Sequence, residues 1–248
     1  MFNNRKDFYM RNNKFKLVTC ILIILSILLI DTRPNAFAAS VTKAEYTMKK
    51  DKVTYKDNNG KVRGIVYFQY PVIKGEASAA KKINDLLKKE SKAYMQDENA
   101  KSLKESAETA IVNNSFYSEE EQYYYKTVCK VTYNDNSIIS LHMQNGWYAG
   151  GVYNQTDYGY TFDLKNGDKL ELKDIVPGTP AAIKKSILAA AKNYLTSDND
   201  FDKGAYDYIK SCKLKNYKFY LSKSKVYICF ESYELGRGTG WDIFSIKR

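Results

Sequence analysis

One histidine, His142, stands in a chain of 248 residues. That count removes most zinc sites, His-based triads and His-containing acid–base pairs, each of which needs a histidine beside further ligands or a nucleophile. His142 lies in the apolar run 138–143, where a lone strand histidine is expected to satisfy a local hydrogen bond. The four cysteines, Cys20, Cys129, Cys212 and Cys229, show no Cys-x-x-Cys spacing. Cys129 and Cys229 sit in apolar, β-prone runs and are expected to be buried, unpaired thiols; any bridge would join Cys212 to Cys229. Two carboxylates suffice for glycosidic hydrolysis, and Asp163, Asp168 and Asp174 cluster in sequence, but their places at strand ends and turns predict solvated or capping roles. GxSxG, HExxH and GxxxxGK[ST] are absent. The run Gly236-Arg237-Gly238-Thr239-Gly240 is followed by a strand pattern, not by a helix whose N-terminus could hold phosphate, so it reads as a turn. No metal, no cofactor and no enzymatic activity are expected.

The unusual chemistry is aromatic. The chain carries 22 tyrosines, residues that bury a ring while keeping a polar end for a partner, which suits protein interfaces and sugar faces. Residues 145–154 (NGWYAGGVYN) set large rings beside glycines between two strand patterns, an arrangement fit to present aromatics to a ligand or to pack as a corner. Trp147, Tyr148 and Tyr153, together with Arg237 and Trp241 of the later glycine-rich stretch, are the binding candidates. Tyr123-Tyr124-Tyr125 looks like a second patch, but strand alternation sends adjacent side chains to opposite faces and predicts ordinary half-buried packing.

The elements that must position these groups follow from periodicity. Residues 41–57 and 61–73 alternate around Asn58-Asn59-Gly60, and 120–133 and 137–146 do so around Asn134-Asp135-Asn136, giving two hairpins. Between them, Ala79, Ile83, Leu86, Leu87 and Tyr94 recur at helical spacing over 77–95; the polar stretch 96–114 either extends that helix or connects. Alternation returns over 158–164 and 170–172 around Asn166-Gly167. Pro177-Gly178 then breaks the chain, and Thr179 and Pro180 open a helix whose stripe is Ile183, Ile187, Ala190, Ala191 and Tyr194. A short helical piece over 205–212 and strands over 217–222, 226–233 and 241–246 complete the chain. Hairpins outnumber single strands alternating with helices, so the fold class is α+β, antiparallel β-hairpins with an amphipathic helix in each of two halves, 41–146 and 147–248.

Residues 1–38 stand apart. Five basic residues precede the apolar stretch 17–30, and Ala36-Phe37-Ala38 follows, the order of a secretory signal with cleavage between Ala38 and Ala39. Fourteen residues fall short of the roughly 20 that span a bilayer; left uncleaved, the stretch would instead anchor a receptor. The whole chain carries +11, and beyond residue 38 it keeps 33 basic against 26 acidic residues, or +7 on 210. Export makes nucleic acid an unsuitable partner, and anionic envelope polymers fit the charge better. The one acidic run, Glu119-Glu120-Glu121, reads as a solvated lead-in to a strand.

With these residues in view, Tyr148-Ala149-Gly150-Gly151, Tyr160–Leu164 with Gly167, and Leu170–Ile175 resemble the RsiV-type extracytoplasmic domain. Phe219–Leu221, Val226–Phe230 and Tyr233–Gly240 resemble its close. The preceding half, with Tyr70-Pro71-Val72-Ile73 and Lys82-Ile83-Asn84, resembles the partner domain that also precedes the catalytic domain of the PdaC deacetylase. The resemblance implies an α+β binding domain at the cell envelope, and in RsiV-like proteins the partner is lysozyme. This chain departs from the pattern at Gly236-Arg237-Gly238, where the family carries an Ala-Pro-Tyr-like segment, and at Val152-Tyr153, which replace a small residue and His. The sixteen residues before the apolar stretch are too few for a sigma-factor-holding helix pair, and no deacetylase domain follows. The expectation is therefore an exported, non-enzymatic binding module for lysozyme or an anionic wall polymer. The alternatives are a membrane-anchored sensor and a carboxylate-dependent cell-wall enzyme.

Overall fold

The computed structural model describes residues 42–151, 153–196, 204–236 and 242–248. The expected signal segment and its cleavage site at Ala38 and Ala39, like Arg237 and Trp241, lie outside these residues. Strands β1 (Tyr46–Lys56) and β2 (Val62–Ile73) pair antiparallel across the Asn58–Gly60 turn, as alternation requires. Helices α1 (Ser78–Tyr94) and α2 (Glu98–Asn113) follow. The polar stretch after Met95 is thus a helix of its own: Asp97 accepts the Ala100 N–H at 2.8 Å as its N-cap, and Asn114 closes it at φ 47°. Alanines at 100, 107 and 110 with Leu103 form its buried face, too sparse an apolar signal to separate a helix from a connection.

Strands β3 (Tyr123–Asp135), β4 (Ile138–Tyr148) and β5 (Tyr153–Asp163) complete a five-stranded sheet in the order β1-β2-β3-β4-β5. Asn136 and Ser137, both at positive φ, make the tight turn between β3 and β4. One pairing departs from the antiparallel expectation: β2 and β3 run parallel. The reason is topological, because the chain leaves β2 through two helices on one face and must re-enter the sheet in the same direction. Helices α1 and α2 bury Ile83, Leu87, Leu103 and Ala107 against Val66, Phe68, Leu141 and Phe162 in the first core.

Beyond β5 the expected strand over 170–172 is replaced by a single helical turn, α3 (Leu172–Ile175), closed by reciprocal capping between Glu171 and Asp174. Only Phe162 and Lys169 bridge as a strand pair would. Gly167 makes the preceding turn at φ +73°, where a Cβ would meet the Ala79 carbonyl oxygen at 2.7 Å. Helix α4 (Pro180–Thr196), capped by Thr179 Oγ1 accepting the Ala182 N–H, and helix α5 (Ala205–Ser211) cover a second sheet. That sheet has the antiparallel order β6 (Lys218–Leu221), β7 (Lys225–Cys229), β8 (Ile243–Lys247). Its core joins Ile183, Ile187, Leu221, Val226, Ile228 and Phe244.

The two cores meet between Leu164 and Leu172. The boundary expected after Gly146 falls inside β4, because β5 pairs with β4 along its whole length and belongs to the first sheet. Residues 40–248 are one compact unit. Strand β6 packs on β4 and β5 so closely that a Cβ on Gly159 would lie 2.2 Å from the Phe219 carbonyl oxygen. Ser140 Oγ accepts the Leu221 N–H at 2.9 Å across the same contact. Among the described residues no helix is long and apolar enough to cross a membrane.

Candidate functional site

Register places the candidate site. Tyr125, Trp147 and Asn154 oppose one another across β3, β4 and β5; Thr127, Asn145 and Thr156 form the next row on that face, and Cys129, Met143 and Tyr158 the one after. Directly opposed residues share a face of a sheet. This is the face on which α1 and α2 lie, so the Thr–Asn–Thr row is a polar stripe inside an otherwise apolar layer. Tyr94 at the end of α1 and Asn99 at the start of α2 border it on one side, and Lys218, Glu231, Ser232 and Tyr233 on the other. Two cavities of about 350 and 420 Å³ share Asn99, Tyr125, Asn145, Thr156 and Glu231 as lining and therefore form one groove.

Inside it, Asn145 Nδ2 donates to the Tyr94 hydroxyl at 2.8 Å and to Thr127 Oγ1 at 3.0 Å. The Tyr94 ring stacks on Tyr125 at 4.0 Å, and the Tyr125 hydroxyl donates to Asp97 at 2.9 Å. Burial pushes both phenols well above their ordinary range, so they act as neutral donors. Behind the groove wall, Glu90 Oε1 accepts from Tyr160 at 2.7 Å and Tyr158 at 3.5 Å, while its Oε2 is buried with no partner. Burial raises the Glu90 carboxyl above the usual carboxylate range, against the pull of the tyrosine hydroxyls and the Lys169 charge. Burial likewise lowers Lys169 and Lys218, and Lys218 pairs with Glu231. The Trp147 indole N–H and Asn154 Oδ1 are also buried without partners; the first is a donor, the second an acceptor, on opposed residues.

Of the binding candidates, Tyr153 opposes Tyr148 across β4 and β5 and touches the groove only at its end, beside the 67% exposed Tyr233, whereas Trp147 lines it. Tyr148 does not. One residue on from Trp147, it faces the other side of the sheet, where its hydroxyl donates to Glu121 and its ring meets Tyr123 and Tyr124. The three aromatics are strand residues, with a turn at Gly150-Gly151, not members of one presenting loop. Glu121 is held by Tyr148 and by the Tyr117 N–H, whereas Glu119 and Glu120 are exposed, so the acidic run is solvated except for its last member. Tyr94, Asn99, Glu90, Lys218 and Glu231 were not among the sequence candidates; no local pattern marks them, because they reach the groove from four separate elements.

The remaining chemical groups are engaged elsewhere. His142 Nε2 shares a 2.5 Å hydrogen bond with the fully buried Asp157, and its ring stacks on Tyr220 at 4.1 Å, at the contact between the two sheets. Asp163 caps its turn through the Lys165 N–H, Asp168 pairs with Lys82, and Asp174 caps α3. Cys129 and Cys229 are buried, and burial pushes the Cys129 thiol up to about 12. Cys212 and Cys229 line one cavity of about 250 Å³ but are unbridged. Among the described residues no group of three or more His, Cys, Asp or Glu side chains could hold a metal.

Residues 65–153 match the family described as deacetylase PdaC. A DUF3298-family structure from Bacteroides fragilis is similar at 16% identity, covering 84% of this chain and 91% of its own, with a TM-score of 0.55. A second, from Pseudomonas aeruginosa, is 16% identical over 83% of this chain and 89% of its own, with a TM-score of 0.47. No curated protein matches. The family match ends just as β5 begins, and the Bacteroides likeness carries the same fold on through the second sheet. Residues 65–153 are thus similar to the PdaC-type domain, and the fold is similar to that of the Bacteroides DUF3298-family structure, in keeping with the RsiV/PdaC-type resemblance.

Proposed function

We propose that this protein is a non-enzymatic binding module of the bacterial cell envelope, exported by its N-terminal segment, and that the groove on the inner face of the first sheet receives its ligand. The observation that carries the reading is the polar row Thr127–Asn145–Thr156, set inside an apolar face, whose Asn145 and Thr156 line a cavity of ligand size while Thr127 is buried beside them. The groups with chemical potential outside it support a binding role: His142 is locked to Asp157, Asp163 and Asp174 cap turns, Asp168 pairs with Lys82, and two of the thiols are buried. Lysozyme and anionic wall polymer are the two partner classes that the family resemblance and the positive charge put forward. Calorimetry of the purified chain against each, at low and physiological salt, tests the module. Saturable binding without chemical change in the ligand is expected; turnover of a wall polymer overturns it.

A second reading has one observation in its favour. Glu90, a carboxyl raised by burial and held by two tyrosine hydroxyls, has the environment of a general acid, and Glu231 lines the same groove. A carboxylate-dependent wall hydrolase would lose its turnover on Glu90→Gln. Turnover that persists in that variant excludes Glu90 as the acid.

A further inference from the structure

Resting on the binding-module reading, we infer that the groove takes a neutral, hydroxyl-rich chain, a glycan strand, in preference to an anionic polymer. Four features converge. First, the charged side chains of the lining, Lys218 and Glu231, are paired with each other, while Lys169, outside it, holds its ammonium 4.5 Å from the centre of the Tyr160 ring. A phosphate-rich polymer would find no unengaged cation among the described lining residues, and would instead meet the diffuse surface charge.

Second, the lining is amide, hydroxyl and phenol. Asn99, Asn145 and Thr156 lie between aromatic rings, the combination that hydrogen-bonds sugar hydroxyls while covering the apolar face of a sugar ring. Third, the Trp147 N–H and Asn154 Oδ1, opposed across β4 and β5, lack partners. A hydroxyl-rich ligand carries both the acceptor that the first lacks and the donor that the second lacks; a phosphate or carboxylate oxygen can only accept, and would leave the amide oxygen unsatisfied. Fourth, Tyr233 stands 67% exposed at the mouth, where its ring offers a flat face that no core packing requires. The two joined cavities, each of about 350 to 420 Å³, fit a short run of sugar units and not a protein domain.

The test is calorimetry of the full chain with a neutral hexamer of N-acetylglucosamine, a glucose hexamer, a teichoic acid and lysozyme. Each is titrated at about 20 mM and about 500 mM salt, where screening separates charge-driven from neutral binding. The variants are Tyr233→Ala and Thr156→Val, with thermal midpoints measured to confirm folding. Expected are saturable binding of a neutral hexamer that changes less than about twofold with salt, and a loss of roughly tenfold in each variant. Hexamer binding that both folded variants leave unchanged overturns the groove as its site. If only teichoic acid or lysozyme binds, and the variants do not alter it, the glycan assignment falls while the binding module stands. If the chain cleaves or deacetylates a hexamer, the binding-module reading itself falls.

Discussion

The two sheets of this protein are packed to different standards. The core of the second is nearly all apolar: Ile183, Ile187, Leu221, Val226 and Ile228 are all essentially inaccessible, and the fully buried Asp242 at its edge accepts from Tyr194. The first puts Thr127, Asn145 and Thr156 in the middle of its helix-covered face and leaves Glu90 Oε2, Trp147 Nε1 and Asn154 Oδ1 without partners. A buried polar atom without a partner costs stability that an apolar replacement would recover. One layer is therefore built for cohesion, and the other gives up part of its cohesion where β4 and β5 emerge from beneath the helices. The difference locates the site independently of any motif.

Four substitutions sharpen or break this contrast. Ile228→Ala, in the apolar second core, is expected to cost about 3 kcal/mol, read from chemical denaturation; a cost below about 1 kcal/mol would mean that this layer is not closely packed. Gly159→Ala places a methyl group against the Phe219 carbonyl and should cost about 2 kcal/mol by forcing the sheets apart. Glu90→Gln carries the pH dependence. With the folded carboxyl raised, its contribution to stability is full below the ordinary carboxylate pKa and is lost as pH rises through the folded value. The glutamine variant escapes that loss, so its thermal midpoint should exceed wild type at pH 7 and converge on it near pH 4. Equal midpoints at both pH values would show that Glu90 is solvated. Last, Thr156→Val keeps the shape of the groove wall and should move stability by less than about 0.5 kcal/mol. A larger loss would make the polar row structural and remove the contrast with the apolar second core.

Much of this architecture is legible in the chain. Alternation and the Asn-rich turns give β1 to β5, helical spacing gives α1 and α4, and Thr179-Pro180 marks the start of α4. What alternation cannot supply is the neighbour of each strand. The parallel β2–β3 pair depends on where two helices deposit the chain, and the Thr–Asn–Thr row depends on the register of three strands. Trp147 and Tyr153 stood out by type alone. Tyr148 carries the same signal of type, but the period of two that separates Tyr124 from its neighbours sends it, with its cross-strand partner Tyr153, to the opposite face from Trp147. Residues 170–172 show the reverse failure: Leu170 and Leu172 alternate, but the Glu171–Asp174 capping box wins and turns the segment into helix.

The backbone contact at Gly159 has a consequence for recognition. One wall of the groove belongs to the first sheet, and the other, with Lys218 and Glu231, belongs to the strand and loop that follow the second helix pair. At Gly159 main chain lies on main chain, with no side chain between them to compress, and the Ser140–Leu221 hydrogen bond and the His142–Tyr220 stack beside it oppose sliding. The slot is therefore held at a set width before anything enters it. Under the proposed binding role, a ligand would be selected by fit to a preset opening, and little of its binding free energy would be lost to ordering the protein around it.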